Sequence, residues 1–125
     1  MERIVLDTNF LLSVFELKID VFAEIERISH FPYRLYIVDK TIDELENLIN
    51  TPLLSKKQAA KVALKLIGVK KIQLIKTHDP RPVDDILVDL EGYIVATADA
   101  ALKRRLRRKG VRILSIRQKK YLVLE

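Results

Sequence analysis

Four acidic residues of the chain lie where apolar runs end or where helical patterns begin. They are Asp7, Glu44, Asp84 and Asp99. In an open α/β sheet, sites form at the rim where the strands' carboxyl ends meet the following helices. Carboxylates gathered there repel one another, by roughly 4 kcal/mol for a pair about 4 Å apart at an effective dielectric of about 20. Either some of them hold protons or a cation lies among them, and we interpret the set as a cation site.

Each acid also has a structural explanation. Asp7 and Asp99 suit helix N-caps, Thr41 and Glu44 have the spacing of a capping box, and Asp84 would favour a helix amino terminus through the dipole. In a parallel sheet, however, the topology that makes capping plausible also brings all four acids to one rim. Oxygen ligands without histidine or cysteine favour one or two Mg²⁺ or Mn²⁺ ions.

The size and composition of the chain limit its domain number, its possible kinds of site and its location. At 125 residues the chain is expected to form one domain over 1–125. The absence of cysteine excludes disulfides, thiolate zinc sites and cysteine nucleophiles. His30 and His78 lack the spacing of a ligand pair and are expected at the surface. No apolar run approaches the ~18 residues of a membrane span, and no secretory signal pattern is visible. A cytoplasmic protein without a membrane partner is expected.

Apolar runs of three to six residues alternate with helical patterns. The expected strands are Ile4–Leu6, Leu35–Val38, Ile72–Ile75, Tyr93–Ala96 and Val111–Ile116. The first four are mostly continuous, which is typical of strands covered on both faces, whereas the fifth partly alternates and suggests an edge. Gly68 and Gly110 are expected to end helices in the left-handed conformation. The predicted fold is α/β, a single-domain three-layer α/β/α sandwich with a central, mainly parallel five-stranded sheet.

The excess positive charge lies in one carboxy-terminal stretch. The chain carries a net charge of +6, and residues 103–120 contain ten basic and no acidic side chains. Like charges at i, i+4 on a helix cost a few tenths of a kcal/mol each, so the stretch predicts a polyanionic partner. The candidate RNA contacts are Lys103, Arg104, Arg105, Arg107 and Arg108. Weaker candidates are Lys57, Lys61, Lys65, Arg117, Lys119 and Lys120, with Tyr121 favoured to pack rather than to stack on a base.

Several segments together resemble the PIN-domain nucleases. They are Asp7-Thr8-Asn9-Phe10, Ile42-Asp43-Glu44-Leu45, Asp84-Asp85-Ile86-Leu87 and Thr97-Ala98-Asp99. In that family an Asp–Glu–Asp–Asp set binds divalent metal and cleaves RNA. The carboxy-terminal stretch Tyr93-Ile94-Val95-Ala96-Thr97 through Lys103-Arg104-Arg105-Leu106, followed by Arg117-Gln118-Lys119-Lys120-Tyr121, is similar to the branch that processes the precursor of small-subunit ribosomal RNA.

The resemblance implies a Mg²⁺- or Mn²⁺-dependent endoribonuclease that leaves a 5′-phosphate and a 3′-hydroxyl. The implied metal ligands and catalytic residues are Asp7, Glu44, Asp84 and Asp99, with Asp85 as the second choice beside Asp84. Groups expected to orient these ligands and the attacking water are Thr8, Asn9 and Thr97. The chain departs from the family at Ala98, where a polar residue is common. The eukaryotic-type members carry a basic amino-terminal extension, whereas this sequence begins at its first expected strand.

The sequence is also compatible with other functions. One is a toxin-type PIN ribonuclease held by an antitoxin, and another is a non-catalytic RNA-binding assembly factor, against which the presence of all four acids argues. A phosphatase with Asp7 as nucleophile would typically need a second Asp at position 9, where this chain has Asn9. A homodimer is also open, because Leu11, Leu12 and Phe15 could face either the core or a second copy.

Overall fold

The computed structural model describes all residues, 1–125, and contains six strands and six helices. The strands are β1 (Glu2–Leu6), β2 (Tyr33–Val38), β3 (Gln73–Ile75), β4 (Ile94–Ala96), β5 (Ile113–Arg117) and β6 (Tyr121–Leu124). The helices are α1 (Thr8–Glu16), α2 (Val21–Ile28), α3 (Asp39–Ile49), α4 (Leu54–Val69), α5 (Val83–Asp89) and α6 (Ala100–Arg108). None of the helices combines the length and the apolar character that crossing a lipid bilayer requires.

The sheet has the strand order β3-β2-β1-β4-β5-β6. All neighbouring pairs from β3 to β5 are parallel, and β6 runs antiparallel to β5. The carboxyl ends of β1 and of its neighbours β2 and β4 therefore lie at one edge of the sheet. The predicted mainly parallel α/β fold is confirmed, with one strand more than expected.

The sixth strand corrects the expectation that Val111–Ile116 forms an edge, because β6 covers that side of β5. Its hairpin has no residues that commonly mark such a turn. Gln118 and Lys119 both take positive φ angles, of 53° and 55°, in a turn that the Lys120 N–H closes onto the Arg117 carbonyl at 3.0 Å. Asparagine and glycine usually occupy these two positions, so the sequence contains no turn signal there.

Helices cover both faces of the sheet and bury a core on each. Along β1, Ile4 and Leu6 point into the larger core beneath α1, α2, α3 and α4, while Val5 points into the smaller core beneath α5 and α6. The alternation explains why the run is apolar throughout, since both sides of the strand are buried. Leu11 and Leu12 lie in the larger core and are not available to a second copy, whereas Phe15 is 36% exposed.

The helices α4 and α6 end in the same backbone motif with different residues. In α6, Gly110 has a φ angle of 71°, and the N–H groups of Gly110 and Val111 bond the Arg107 and Leu106 carbonyls. In α4, Lys71 takes the equivalent place with a φ angle of 54°. Gly68 lies within the last turn of α4, so its predicted role as the left-handed cap is wrong.

This difference predicts opposite effects on stability. Gly110→Ala should lower the free energy of unfolding by about 1 kcal/mol, because a left-handed conformation is unfavourable for a residue with a Cβ atom. Lys71→Gly should raise it by about 0.5 kcal/mol, since that strain disappears. Urea unfolding of the two variants beside the wild-type protein measures both changes. Equal signs for the two would contradict the shared motif.

Candidate active site

The carboxyl edge of the sheet carries a small polar cleft. Asp7 follows β1 directly, and Asp99 lies three residues after the end of β4. Glu44 comes from the second turn of α3, and Asp84 from the first turn of α5. The residues that line this cleft of about 160 Å³ are Asp7, Asn9, Glu44, Val83, Asp84 and Asp99. The fold therefore brings the four predicted acids together at one rim.

Asp7 is the most deeply placed acid of the cleft. Only 5% of it is exposed, and its Oδ2 accepts a hydrogen bond of 2.8 Å from the Thr97 hydroxyl. Burial raises the pKa of Asp7 to about 6, from an ordinary value of 3.8. Hydrogen bonds from Thr97 and Thr8 act in the opposite direction, and the negative charges of Glu44 and Asp99 raise the pKa further. Asp7 is thus a buried charge whose surroundings lack a compensating cation.

The side chain of Asp7 does not cap α1, although it occupies the N-cap position. Its structural explanation therefore fails, and the carboxylate is directed to Thr97 instead. The Thr97 hydroxyl also accepts a hydrogen bond of 3.1 Å from the Asp99 backbone N–H. Thr97, with no exposed surface, thus connects two acids of the cleft, as expected of a group that orients ligands.

Glu44 is held from two sides. The Thr8 hydroxyl donates to its Oε1 at 2.7 Å, and the Val83 N–H donates to its Oε2 at 3.3 Å. The predicted capping box is wrong, because α3 begins at Asp39 and Thr41 already lies inside the helix. Thr41 is instead fully buried, with its hydroxyl 3.4 Å from that of Thr8. This supporting role of Thr41 is absent from the sequence-based expectations, although the i, i+3 spacing also places Thr41 and Glu44 on one helix face.

Asp99 combines a structural role with its place in the cleft. Its Oδ1 accepts hydrogen bonds of 2.8 Å from the Ala101 N–H and 3.2 Å from the Leu102 N–H, so it caps α6 as predicted. Both bonds use the same oxygen, and Oδ2 makes no hydrogen bond within the protein. Asn9 lines the cleft without a side-chain hydrogen bond to any of the acids.

The adjacent acids of α5 face different surroundings. Asp84 lines the cleft, whereas Asp85 pairs with the Arg105 guanidinium at 2.9 Å. The same Arg105 nitrogen lies 3.7 Å from Asp84 Oδ2. Arg105 was predicted to contact RNA, but its guanidinium is turned towards α5 and is engaged by these two acids.

The donor set of the cleft suits a hard divalent cation. Four carboxylates surround it, with no cysteine in the chain and no histidine among its lining residues. No three histidine, cysteine or acidic side chains are arranged so that they could hold a metal ion by themselves. This is compatible with Mg²⁺ in particular, because that ion keeps several of its waters and commonly takes only one or two carboxylates directly. The residues therefore fit a hydrated ion held within the cleft.

A cationic surface begins beside the cleft. Because Asp99 caps α6, the basic helix starts at the acidic rim and runs away from it. Arg104 and Arg108 are exposed and have no acidic partner, and Lys103 is half-buried and also unpaired. Arg107 instead pairs with Glu125 at 2.9 Å. The cations of α6 that have no acidic partner are thus a subset of the predicted RNA contacts.

Comparisons with known proteins identify the family of the chain. A family model described as "PIN like domain" matches residues 4–119. Ribonuclease VapC4 of Methanocaldococcus jannaschii is 34% identical over 125 residues, which cover 97% of this chain and 95% of that protein. The structure of the PIN domain endonuclease Utp24 aligns with a TM-score of 0.77 and 26% identity, over 98% of this chain and 90% of the other. The chain belongs to the PIN-like domain family and is a PIN-domain ribonuclease.

Proposed function

We propose that this ribonuclease is a metal-dependent endonuclease that acts in the cytoplasm on the precursor of small-subunit ribosomal RNA. The observation that carries the proposal is the meeting of Asp7, Glu44, Asp84 and Asp99 on one cleft. These residues would hold one or two Mg²⁺ or Mn²⁺ ions. The exposed cations of α6 start from the same rim and would hold the RNA backbone, because phosphate contacts dominate nucleic-acid affinity.

In this mechanism the protein positions the phosphodiester and accepts one proton from the attacking water. A divalent ion held by these four acids would lower the pKa of a water molecule and would neutralise charge at the phosphate. A carboxylate oxygen of the cleft accepts a proton from the attacking water, whose oxygen forms a bond to phosphorus in line with the bond to O3′. The P–O3′ bond breaks, O3′ takes up a proton from solvent, and a 5′-phosphate remains. Thr97 and Thr8 keep Asp7 and Glu44 oriented throughout, through the hydrogen bonds that they donate.

One feature supports the ribosomal substrate, and two similarities support the reaction. The carboxy-terminal segments that resemble the ribosomal branch form α6 and the β5–β6 hairpin, and the turn of that hairpin adds the exposed Lys119 and Lys120. Similarity to the endonuclease Utp24 extends over 98% of the chain and supports internal cleavage. The name of Ribonuclease VapC4 supports RNA as the substrate.

A toxin-type ribonuclease is the second candidate function. It is favoured by apolar side chains at the junction of α1 and α4, where Phe15, Leu53 and Leu54 are 36%, 61% and 65% exposed. The Lys56–Glu16 ion pair of 2.6 Å joins the two helices at this place. An antitoxin polypeptide would bury these side chains, as apolar patches at interfaces are buried.

The decisive experiment uses two labelled RNAs, one spanning a small-subunit processing site and one unrelated messenger fragment. Each is incubated with the purified protein and Mn²⁺, Mg²⁺ or a chelator, beside the Asp7→Asn and Asp84→Asn variants. We expect metal-dependent cleavage of the ribosomal RNA at a defined position, with both variants inactive. Equal cleavage of the messenger fragment would favour the toxin-type function, and binding without cleavage would favour an assembly factor. Cleavage that persists in chelator would overturn the metal mechanism.

The two acids of α5 should differ in their effect on cleavage. Asp84→Asn removes a carboxylate that lines the cleft, and we expect a fall in kcat of at least about 100-fold, the scale of losing one group that stabilises transition-state charge. Asp85→Asn removes the closer of the two acidic partners of Arg105, and a fall below about 10-fold is expected from the indirect change in ligand orientation. Single-turnover cleavage rates of the two variants separate these cases. A larger loss for Asp85→Asn would reverse the ligand assignment.

A further inference from the structure

A second groove lies beside the acidic cleft, between α1 and α3. It measures about 330 Å³ and is lined by Thr8, Asn9, Leu12, Glu44, Asn47 and Leu48. Asn9 and Glu44 line both this groove and the acidic cleft. The two cavities are therefore neighbours, and a group that projects from a phosphate in the cleft would lie beside the groove.

The lining of the groove differs from that of the cleft. It contains no cation, and Glu44 is its only charged residue, with both carboxylate oxygens already bonded by Thr8 and by the Val83 N–H. The amides of Asn9 and Asn47 are exposed and make no side-chain hydrogen bonds within the protein. The apolar wall comes from Leu48, which is partly exposed, and from the 2% of Leu12 that is exposed. Such a surface does not suit a phosphate, which requires cations or clustered N–H donors.

Amide groups beside an apolar wall are instead suited to a nucleobase. The edge of a base carries hydrogen-bond donors and acceptors, and the asparagine amide can both accept from the donors and donate to the acceptors. The flat face of a base is apolar and can pack on aliphatic side chains. Unpaired bases of single-stranded RNA are read in this way, since their edges are free.

The position of the groove agrees with a strand of RNA passing over the cleft. The basic helix α6 lies with α5 on one face of the sheet, while α1 and α3 lie on the other. Phosphates on the α6 side and a base on the α1–α3 side would then flank one scissile phosphodiester. We propose that the groove is a nucleobase subsite for a nucleotide beside the scissile bond, and that Asn47 determines which base is preferred. This inference rests on the proposed RNA cleavage.

The test is the base preference of cleavage. A short single-stranded RNA with randomised positions on both sides of a central nucleotide is cleaved by the wild-type protein, by Asn47→Ala and by Asn50→Ala, and the products are sequenced. Asn50 is a matched control, because it follows the same helix but does not line the groove. We expect the wild-type protein to prefer one base at one flanking position by about 5- to 150-fold, the range of a good amide–base pair. Asn47→Ala should reduce this preference below about twofold, and Asn50→Ala should retain it.

A binding measurement tests the subsite independently of RNA cleavage. In the Asp84→Asn background, the anisotropy of labelled homopolymeric oligonucleotides measures affinity for each base without cleavage. Affinities that differ between bases, and converge when Asn47→Ala is added, support the subsite. An Asn47→Ala profile identical to its parent, in cleavage or in binding, would overturn it. If the wild-type protein cleaves no RNA with either metal, the proposed function fails, while the binding profile still decides the subsite.

Discussion

Replacing Asp7 by asparagine is expected to stabilise the metal-free protein while abolishing its cleavage of RNA. Burial raises the pKa of Asp7 to about 6 from 3.8, so the folded state opposes the ionised carboxylate. A rise of about two pKa units corresponds to roughly 3 kcal/mol of destabilisation once the group is ionised in both states. Asparagine removes the charge and keeps an oxygen for the Thr97 hydroxyl. We therefore expect a gain of about 1–3 kcal/mol in the free energy of unfolding near pH 8.

The sign of the pH dependence follows from the two pKa values. Between pH 3.8 and about 6 the folded state holds a proton on Asp7 that the unfolded state has released. Unfolding then releases that proton, so wild-type stability falls as pH rises through this window. Below 3.8 both states are protonated and the penalty is absent, whereas above about 6 it is complete. The difference between the wild type and Asp7→Asn should therefore be large near pH 8 and small near pH 3.5.

Urea unfolding at the two pH values measures this difference, with the exposed Asp43→Asn as a control that should change little. Addition of Mn²⁺ should stabilise the wild-type protein more than Asp7→Asn, since a ligand that binds only the folded state adds its binding free energy. We expect cleavage by the variant to fall at least about 1000-fold. A variant that is less stable than the wild type near pH 8 would show that Asp7 is a structural group rather than a charge held for a cation.

The meeting of the acids could be predicted because it depends on topology. The run Ile4–Leu6 is apolar on both faces, which favours a central parallel strand, and its carboxyl end delivers Asp7 to the rim. Asp99 follows β4 at the same rim because β1 and β4 are parallel neighbours. Neither inference needs side-chain detail, since strand direction alone decides which ends of the strands coincide.

The environment of Glu44 could not be predicted in the same way. Spacing of three residues from Thr41 fits both a capping box and two neighbours on one helix face. The choice depends on where α3 begins. Asp39 starts the helix while its carboxylate accepts a hydrogen bond of 2.6 Å from the Thr77 hydroxyl and one of 2.8 Å from the His78 N–H. The Thr77–Asp39 hydrogen bond joins residues 38 positions apart and leaves no local pattern in the sequence. The sequence therefore favoured a start of α3 after Thr41, which is wrong.

The sequence could not predict which cations of α6 are paired, because their partners also lie far along the chain. Five of the six residues from Lys103 to Arg108 are basic, and nothing in such a run distinguishes one from another. Packing of α6 beside α5 decides that Arg105 meets Asp85, and the position of Glu125 decides that Arg107 is paired. These partners are supplied by other elements of the fold. The structure therefore changes which variants test RNA binding.

The variant that best tests RNA binding by α6 therefore replaces Lys103, Arg104 and Arg108 by alanine and leaves Arg105 intact. These three side chains carry no acidic partner, whereas removing Arg105 would also disturb the acids of α5. Each phosphate contact in single-stranded RNA contributes about 0.7 to the slope of log affinity against log salt, so losing three should reduce the slope by about 2. We expect affinity at low salt to fall by roughly 10- to 100-fold.

A matched control removes the same charge from the opposite face of the sheet. Lys57, Lys61 and Lys65 lie on α4, which packs on the larger core, while α6 packs on the smaller one. Replacing these three by alanine changes the net charge equally, so a purely long-range effect of charge would appear in both variants. We expect fluorescence anisotropy across a salt series to show the reduced slope only for α6. The opposite result, with the slope reduced only by the α4 variant, would place the RNA backbone along α4 and remove α6 from its path.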